Sequence, residues 1–373
     1  MAAQNNSPCN SPTITNSRFS AACRVLEDAI ADGAFPGCAL GVLADGQVLL
    51  QDGRGRFTYT EGSPGVTCGT VFDLASVTKV VVSTAMAMLL YQRGRLDLDA
   101  RLGDLLPDFL TGRKADDRAR EIRIRHLLAH NSGLPAYVEF FRTAGTPAEL
   151  LSECTQLELV AEPGVRGEYS DPGFILLGKA LEAVMGEGLD AFSQREIFKP
   201  LGMEATCFSP APEIRDTIPP TEEDETFRHQ RIQGEVQDEN AWVLGGVAGH
   251  AGLFSNVPDV LRFASEVLDC LVVDSSKDNL FQATTVEMFG KRQGPSDSSR
   301  ALGWDTPSEN SSSGRYFSPH SIGHLGYSGC SLWIDLDARI AVVLLTNRTW
   351  PDRKSQLIRQ VRPAFHDAIR QAL

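Results

Sequence analysis

The sequence predicts an α/β fold of the α+β kind: a mixed, mostly antiparallel sheet flanked by terminal helices, with a mostly helical domain inserted into it. Three observations point there. Two short apolar runs near the N-terminus, 38–43 and 47–51, flank Ala44-Asp45-Gly46, and Asp-Gly between such runs is a strong hairpin signal because glycine supplies the positive φ of the turn. Three more strand patterns, 321–327, 331–335 and 340–346, lie near the C-terminus. Between the two groups the pattern is mostly helical from Ser76 to about Leu268, broken at Pro107, Pro135, Pro147, Pro163 and Pro200.

Taken in order, residues 1–17 are polar and rich in Pro, Ser and Asn and read as disordered. Residues 18–32 carry Phe19, Cys23, Leu26, Ala29 and Ile30 at helical spacing and stop at Gly33. The hairpin leads into a loop punctuated by Gly53, Gly55, Gly62, Gly65 and Gly69, and a helix begins at Ser76 and runs through Arg93. Residues 209–239 hold four prolines and Glu222-Glu223-Asp224-Glu225 and read as a long surface loop, either a plain insertion or a lid. Residues 353–373 close the chain as a helix with Leu357, Val361, Phe365 and Ile369 four apart. The expected division is a sheet domain from 18–75 and 300–373 and a mostly helical domain from 76–299.

Composition narrows the function classes. A chain of 373 residues with 42% hydrophobic and 22% charged residues can bury a sizeable core as two domains or one composite one. A net charge of −13 argues against nucleic acid and anionic membrane surfaces as partners. The longest apolar stretch, 80–90, falls short of the roughly 20 residues of a membrane span, so a soluble protein is expected. The N-terminal residues lack the basic and apolar regions of an export signal. That points to a cytoplasmic protein, or to a periplasmic or secreted one whose signal has been trimmed. Eight cysteines without a CxxC pair speak for buried reduced thiols rather than a thiolate metal site. No metal and no organic cofactor is expected. His126 and His130 have zinc-ligand spacing, but Leu127-Leu128 stand where the glutamate of HExxH belongs, so they read as helix-packing or capping residues.

Three segments carry chemistry. In Phe72-Asp73-Leu74-Ala75-Ser76-Val77-Thr78-Lys79, Lys79 alone among the lysines has a serine three positions before it. On a helix those two side chains share a face, so Oγ and Nζ can touch. Lysine acts as a base only when deprotonated, which calls for a pKa lowered by desolvation or a neighbouring cation. In Gly167-Glu168-Tyr169-Ser170-Asp171, Tyr169 can relay a proton and Asp171 can face the same cleft. In His324-Leu325-Gly326-Tyr327, a strand edge can offer a backbone N–H to an oxyanion, Gly326 can let substrate approach closely, and His324 can contact a substrate carboxylate or the tyrosine. A rival for this segment, His250-Ala251-Gly252, leads into a helix pattern rather than a strand, so His324 is preferred. No GxSxG and no phosphate-binding glycine loop is present.

The ordered set Ser76-xx-Lys79, Tyr169-x-Asp171 and His324-x-Gly326 resembles the three motifs of the serine β-lactamase and penicillin-binding protein family. The branch it looks most like is that of class C β-lactamases, DD-peptidases and related esterases. The stretch from Arg125 to Pro135 (RHLLAHNSGLP), Gly94 to Asp99, and Leu345-Thr346-Asn347-Arg348 read the same way. Asp238-Glu239-Asn240-Ala241 with residues 245–252 resembles a sub-branch linked to cell-wall recycling that includes penicillin-binding protein 4B-like proteins. The resemblance spans about residues 20–370 and implies the β-lactamase/transpeptidase-like fold with its site between the domains. By it, Ser76 is the acylated nucleophile, Lys79 the general base and Tyr169 the partner acid or base. The backbone of Ser76 and Tyr327 would form the oxyanion hole. Two departures stand out: Asp171 replaces the usual Asn, and His324 the usual Lys. Both favour a peptidase, amidase or esterase over an efficient β-lactamase. The expected substrate is a cell-wall peptide or muropeptide, a β-lactam or an ester. A promiscuous carboxylesterase and a penicillin-binding sensor without turnover are the alternatives, and the oligomeric state is open.

Overall fold

The computed structural model describes residues 17–114, 117–272 and 278–373. The disorder expected of 1–17 therefore lies, Ser17 apart, outside the described residues, as does Cys9.

Among the described residues ten strands are formed: β1 Gly37–Ala44, β2 Gln47–Gly55, β3 Phe72–Asp73, β4 Cys207–Phe208, β5 Glu222–Asp224, β6 Gln230–Ile232, β7 Leu253–Ser255, β8 Ser321–Leu325, β9 Ser331–Asp335 and β10 Ile340–Thr346. The main sheet runs β2-β1-β10-β9-β8, every neighbour antiparallel, so both ends of the chain meet at the β1–β10 pair, with Cys38 opposite Thr346 and Ala44 opposite Ile340. Alternation along these strands sends side chains to two different cores. On one face Leu40, Val42, Trp333, Val342 and Leu344 pack with Phe19, Leu26, Phe365 and Ile369 from the helices Ser20–Ala31 and Ile358–Ala372. On the other, Ala39, Leu43, Ile334, Val343 and Leu345 join the larger core. Both faces are covered, which is why β10 can be an unbroken apolar run, Ile-Ala-Val-Val-Leu-Leu-Thr, with every residue buried.

The middle of the chain departs from the expected helical domain in two ways. It carries the β5-β6 ribbon and, with β3 from the preceding segment, the small sheet β3-β7-β4, and these strands of two or three residues are too short to leave a periodic signal. Its helix Val257–Asp269 belongs to the main sheet: a Cβ on Gly41 would meet Val257 and Leu261 at 2.5 and 2.8 Å, so glycine there lets the helix lie close on β1. The 209–239 segment is likewise no plain loop. It holds a 3₁₀ turn, Pro212–Thr217, and the β5–β6 ribbon. The ribbon is tied to the chain after β10 by Asn347 Nδ2 to the Pro220 carbonyl (2.8 Å) and Glu223 N to the Pro351 carbonyl (2.9 Å). Ala75–Gln92 is apolar enough for a membrane span by composition, but 83% of it is buried in the larger core. It is the central helix against which the cleft is built. Of the seven described cysteines five are buried and Cys68 and Cys207 are partly exposed.

Candidate active site

The site begins with a strained turn. β3 ends at Asp73, and Ala75 takes φ +47°, a left-handed value that costs a residue with a Cβ and persists only where neighbours enforce it. They do. Asp73 Oδ1 accepts from Ala75 N and Asp73 Oδ2 from Gln237 N, both at 2.8 Å. Thr78 Oγ1 donates to the Ala75 carbonyl (2.6 Å) and accepts from Leu253 N (3.1 Å). Burial pushes the Asp73 carboxyl up to about 6, against those two N–H groups. The turn presents Ser76, part-exposed, at the head of the helix.

From Ser76 the helix opens as a 3₁₀ turn and widens into a π-type turn over Lys79–Thr84, a distortion that recurs at functional sites. Lys79 is fully buried, and its Nζ donates to Ser76 Oγ (3.0 Å), Asp171 Oδ1 (2.7 Å) and the His250 carbonyl (3.0 Å). Three acceptors satisfy the three protons of an ammonium. Burial alone would push the amine down, but the Asp171 carboxylate and the Tyr169 phenol outweigh it and hold Lys79 above the ordinary lysine value. The lowered pKa expected of Lys79 is therefore corrected: at rest the group is an ammonium, because the carboxylate in the second motif sits against it.

Tyr169 and Asp171 stand at the start of the helix Asp171–Met185, where Ser170 Oγ caps Gly173 N (3.0 Å) and Pro172 fills the first turn. The cap is thus Ser170, which frees Asp171 to face Lys79. The Tyr169 hydroxyl interacts with both Lys79 and Ser76; burial raises the phenol, Lys79 only partly opposes this, and the group stays protonated at neutral pH. The phenol is held by His130, whose ring lies 4.5 Å from it, centroid to centroid, and whose Nδ1 accepts from Ser170 N (3.0 Å). His126 does cap its helix, with Nδ1 accepting from Arg123 N at 3.2 Å. His130 instead lies under the tyrosine, a position that spacing within a helix could not disclose.

The third segment closes the cleft from β8. The His324 ring centroid is 5.9 Å from that of Tyr169. Its Nδ1 donates to the Leu325 carbonyl (2.8 Å), and burial with Lys79 and Arg300 nearby keeps its pKa well below the usual imidazole value. The expected contact with a substrate carboxylate is corrected accordingly: this imidazole is neutral. The role given to Gly326 also changes. A Cβ there would lie 2.4 Å from the Leu74 carbonyl, so glycine lets β8 press on the Ser76 segment rather than leaving room for substrate. Arg362, buried, pins the loop by donating to the carbonyls of Gly326 (2.6 Å), Gly329 (3.2 Å) and Cys330 (2.8 Å). Tyr327 is exposed at the mouth.

These segments line one cleft of about 610 Å³, into which Ser76, Tyr169, Asp171, His324, Gly326 and Tyr327 all reach; Lys79 lies beneath them. The structure thus brings all seven expected residues together, and adds others. Asp238, at the end of the 209–239 segment, bonds His250 Nε2 (2.9 Å); burial works against its carboxylate, but His250 and Ala241 N hold it down at about 2. His250 belongs to the rival stretch, which enters β7 before its helix and contributes a backbone carbonyl rather than an imidazole. Arg300 lines the wall with its guanidinium carbon 5.1 Å from the Tyr169 centroid; nothing in its local sequence marks it. Among the described residues no group of three or more His, Cys, Asp and Glu is arranged to hold a metal.

The chain is similar to known proteins over most of its length. The family model described as Beta-lactamase matches residues 23–363. A Bacillus subtilis (strain 168) protein named N-acetylmuramyl-L-alanine amidase is 30% identical over 360 residues, covering 87% of this chain and 80% of that one. A Salmonella agona (strain SL483) protein named "Putative D-alanyl-D-alanine carboxypeptidase" is 30% identical over 351 residues, covering 85% and 80%. Among solved structures, EstCE1, described as a hydrolase with promiscuous acyltransferase activity, shares the fold at a TM-score of 0.75 and 24% identity, over 95% of this chain and all of that one. The chain belongs to the beta-lactamase family and is a serine hydrolase of the β-lactamase/transpeptidase-like fold.

Proposed function

We propose that the protein hydrolyses an amide or ester through an acyl-enzyme on Ser76, and that its substrate is a peptide or muropeptide derived from the cell wall. The observation that carries the reading is the buried Lys79 Nζ, bonded at once to Ser76 Oγ and Asp171. As the pH rises, the ammonium gives way to the amine. The amine takes the Ser76 proton across 3.0 Å as Oγ attacks the carbonyl carbon. The proton returns through the Tyr169 hydroxyl to the leaving nitrogen or oxygen as the acyl bond breaks, and water repeats the cycle in reverse to free the acid. The N–H groups of Ser76 and Tyr327 are the oxyanion donors in this reading. The relatives named as an amidase and a carboxypeptidase support the substrate class, and a cleft of this volume accommodates a short peptide.

The test is parallel turnover of nitrocefin, a p-nitrophenyl ester, a D-Ala-D-Ala peptide and a muramyl peptide, with the acyl-enzyme mapped by mass spectrometry. Peptide turnover with the adduct on Ser76 is expected. Efficient turnover of the ester alone would make the protein a carboxylesterase, and an adduct that forms without release would make it a sensor.

A further inference from the structure

We propose that His130 is a positioning residue for the leaving-group step: it aims the Tyr169 hydroxyl at Ser76 and the departing group without taking or giving a proton itself. This deepens the reading of Tyr169 as the proton donor and rests on it.

The backbone is strained where His130 stands. The helix Ile124–Leu128 ends in a Schellman turn, with Asn131 N donating to the His126 carbonyl (3.0 Å) and His130 N to the Leu127 carbonyl (3.2 Å). Such a turn needs one residue in the left-handed region, usually glycine and sometimes asparagine. Here that residue is His130, at φ +53°. A Cβ is disfavoured in that conformation, and the turn itself has no use for an imidazole. Strain kept at such a point answers a demand from outside the turn.

The demand comes from the Tyr169 segment. His130 bonds the backbone on both sides of the tyrosine: its carbonyl accepts from Glu168 N (2.7 Å) and its Nδ1 from Ser170 N (3.0 Å). Its ring packs on that of Tyr169 at 4.5 Å and on that of Phe174, in the helix Asp171–Met185, at 4.8 Å. One residue thus fixes the phenol whose hydroxyl meets Lys79 and Ser76. Glycine would suit the turn better, but it would leave Ser170 N without this acceptor and the phenol without its support.

His130 does not relay the proton. Because Nδ1 accepts from an N–H, the ring proton sits on Nε2, and that nitrogen is buried with no hydrogen-bond partner among the described residues. Burial, with Arg300 and Lys79 nearby, keeps its pKa well below the usual imidazole value. The ring is neutral and has no group to exchange a proton with, so its part is geometry. Displacing a reacting group by about 1 Å costs on the order of 100-fold. The loss is selective, because an alkoxide needs a proton to depart and a nitrophenoxide does not.

Hydrolysis of p-nitrophenyl, phenyl and ethyl acetate at one pH, read as kcat/KM, separates this role from one in the fold. The charge state of Lys79 cancels in the ratio of the ethyl to the nitrophenyl rate. His130→Gly relieves the left-handed φ and is expected to fold, yet to lower that ratio about 100-fold. His130→Asn tolerates the φ and keeps an acceptor for Ser170 N but lacks the ring, so it should recover part of the loss. Tyr169→Phe should lower the ratio at least as far, and adding His130→Gly to it should lower it no further. A folded His130→Gly protein with the wild-type ratio, an equal loss on all three esters, or a loss that adds to that of Tyr169→Phe would overturn the proposal. If the glycine variant does not fold, His130→Asn decides, and a wild-type ratio there overturns the proposal too. Tyr169→Phe tells the two failures apart. A lowered ratio there with an unmoved one in the His130 variants rejects the positioning role alone, whereas an unmoved ratio in Tyr169→Phe rejects Tyr169 as the donor and the proposal with it.

Discussion

Replacing Asp171 by Asn probes the charge state on which the chemistry turns. Asn keeps an oxygen where Asp171 Oδ1 accepts from Lys79, so the 2.7 Å contact can persist while the charge is lost. At that separation and an effective dielectric near 20, the attraction is about 6 kcal/mol before desolvation is counted. Burial opposes it, and an opposite charge in such contact moves a pKa by about 1–3 units. The sign follows from the raised Lys79 value. The ammonium is inactive, so the rate in the wild type is low at neutral pH and climbs as the amine forms on the alkaline side. Removing the carboxylate moves that rising limb about 1–3 units toward lower pH, and labelling at pH 7 gains about tenfold per unit. The assay is the pH dependence of Ser76 labelling by a neutral fluorophosphonate, which brings no charge into the cleft. A limb that stays in place, or a folded variant labelled more slowly at every pH, would refute the reasoning and make Asp171 more than an electrostatic partner.

Three further outcomes follow from the same geometry. Gly326→Ala drives a Cβ to 2.4 Å from the Leu74 carbonyl and displaces β8 from the Ser76 segment; a shift of that kind lowers labelling about 100-fold, and a labelling rate near that of wild type would contradict the contact. Asp73→Asn leaves Ala75 N or Gln237 N without an acceptor and lowers the unfolding free energy in urea by about 1–3 kcal/mol; unchanged stability would show the two bonds to be replaceable. Arg362→Met strips three carbonyls of a charged donor and destabilises by about 3 kcal/mol or more, with a melting temperature equal to wild type as the opposing result.

Much of the architecture was legible because it is written in local patterns. The Asp-Gly hairpin, the unbroken apolar run of β10 and the four-residue spacing from Leu357 to Ile369 each record a face that must be buried. The Ser76–Lys79 contact was legible for the same reason: three residues apart on a helix is a distance as well as a spacing. What escaped depends on partners far along the chain. The charge of Lys79 is set by Asp171, 92 residues away. The tautomer of His324 is set by the direction of one backbone carbonyl, and no pattern aims Arg300 at Tyr169. The strands of the 209–239 segment are too short to alternate, and nothing in the acidic run itself discloses that Arg353, far along the chain, sits between Glu222 and Glu239. The rival stretch His250-Ala251-Gly252 matches the third motif in sequence. It serves the first one instead, through the His250 carbonyl on Lys79, and the preceding Gly249 carbonyl accepts from Ser83 on the same helix.

The central claim is that Ser76 is the group acylated and that Lys79 activates it. Intact-mass analysis with peptide mapping, after exposure to a fluorophosphonate at pH 7 and pH 9, puts this to the test for the wild type, Ser76→Ala and Lys79→Ala. One adduct, on Ser76, forming faster at pH 9, absent from the serine variant and abolished at pH 7 in the lysine variant, is the predicted result. An adduct on another residue, or wild-type labelling without Lys79, would contradict it.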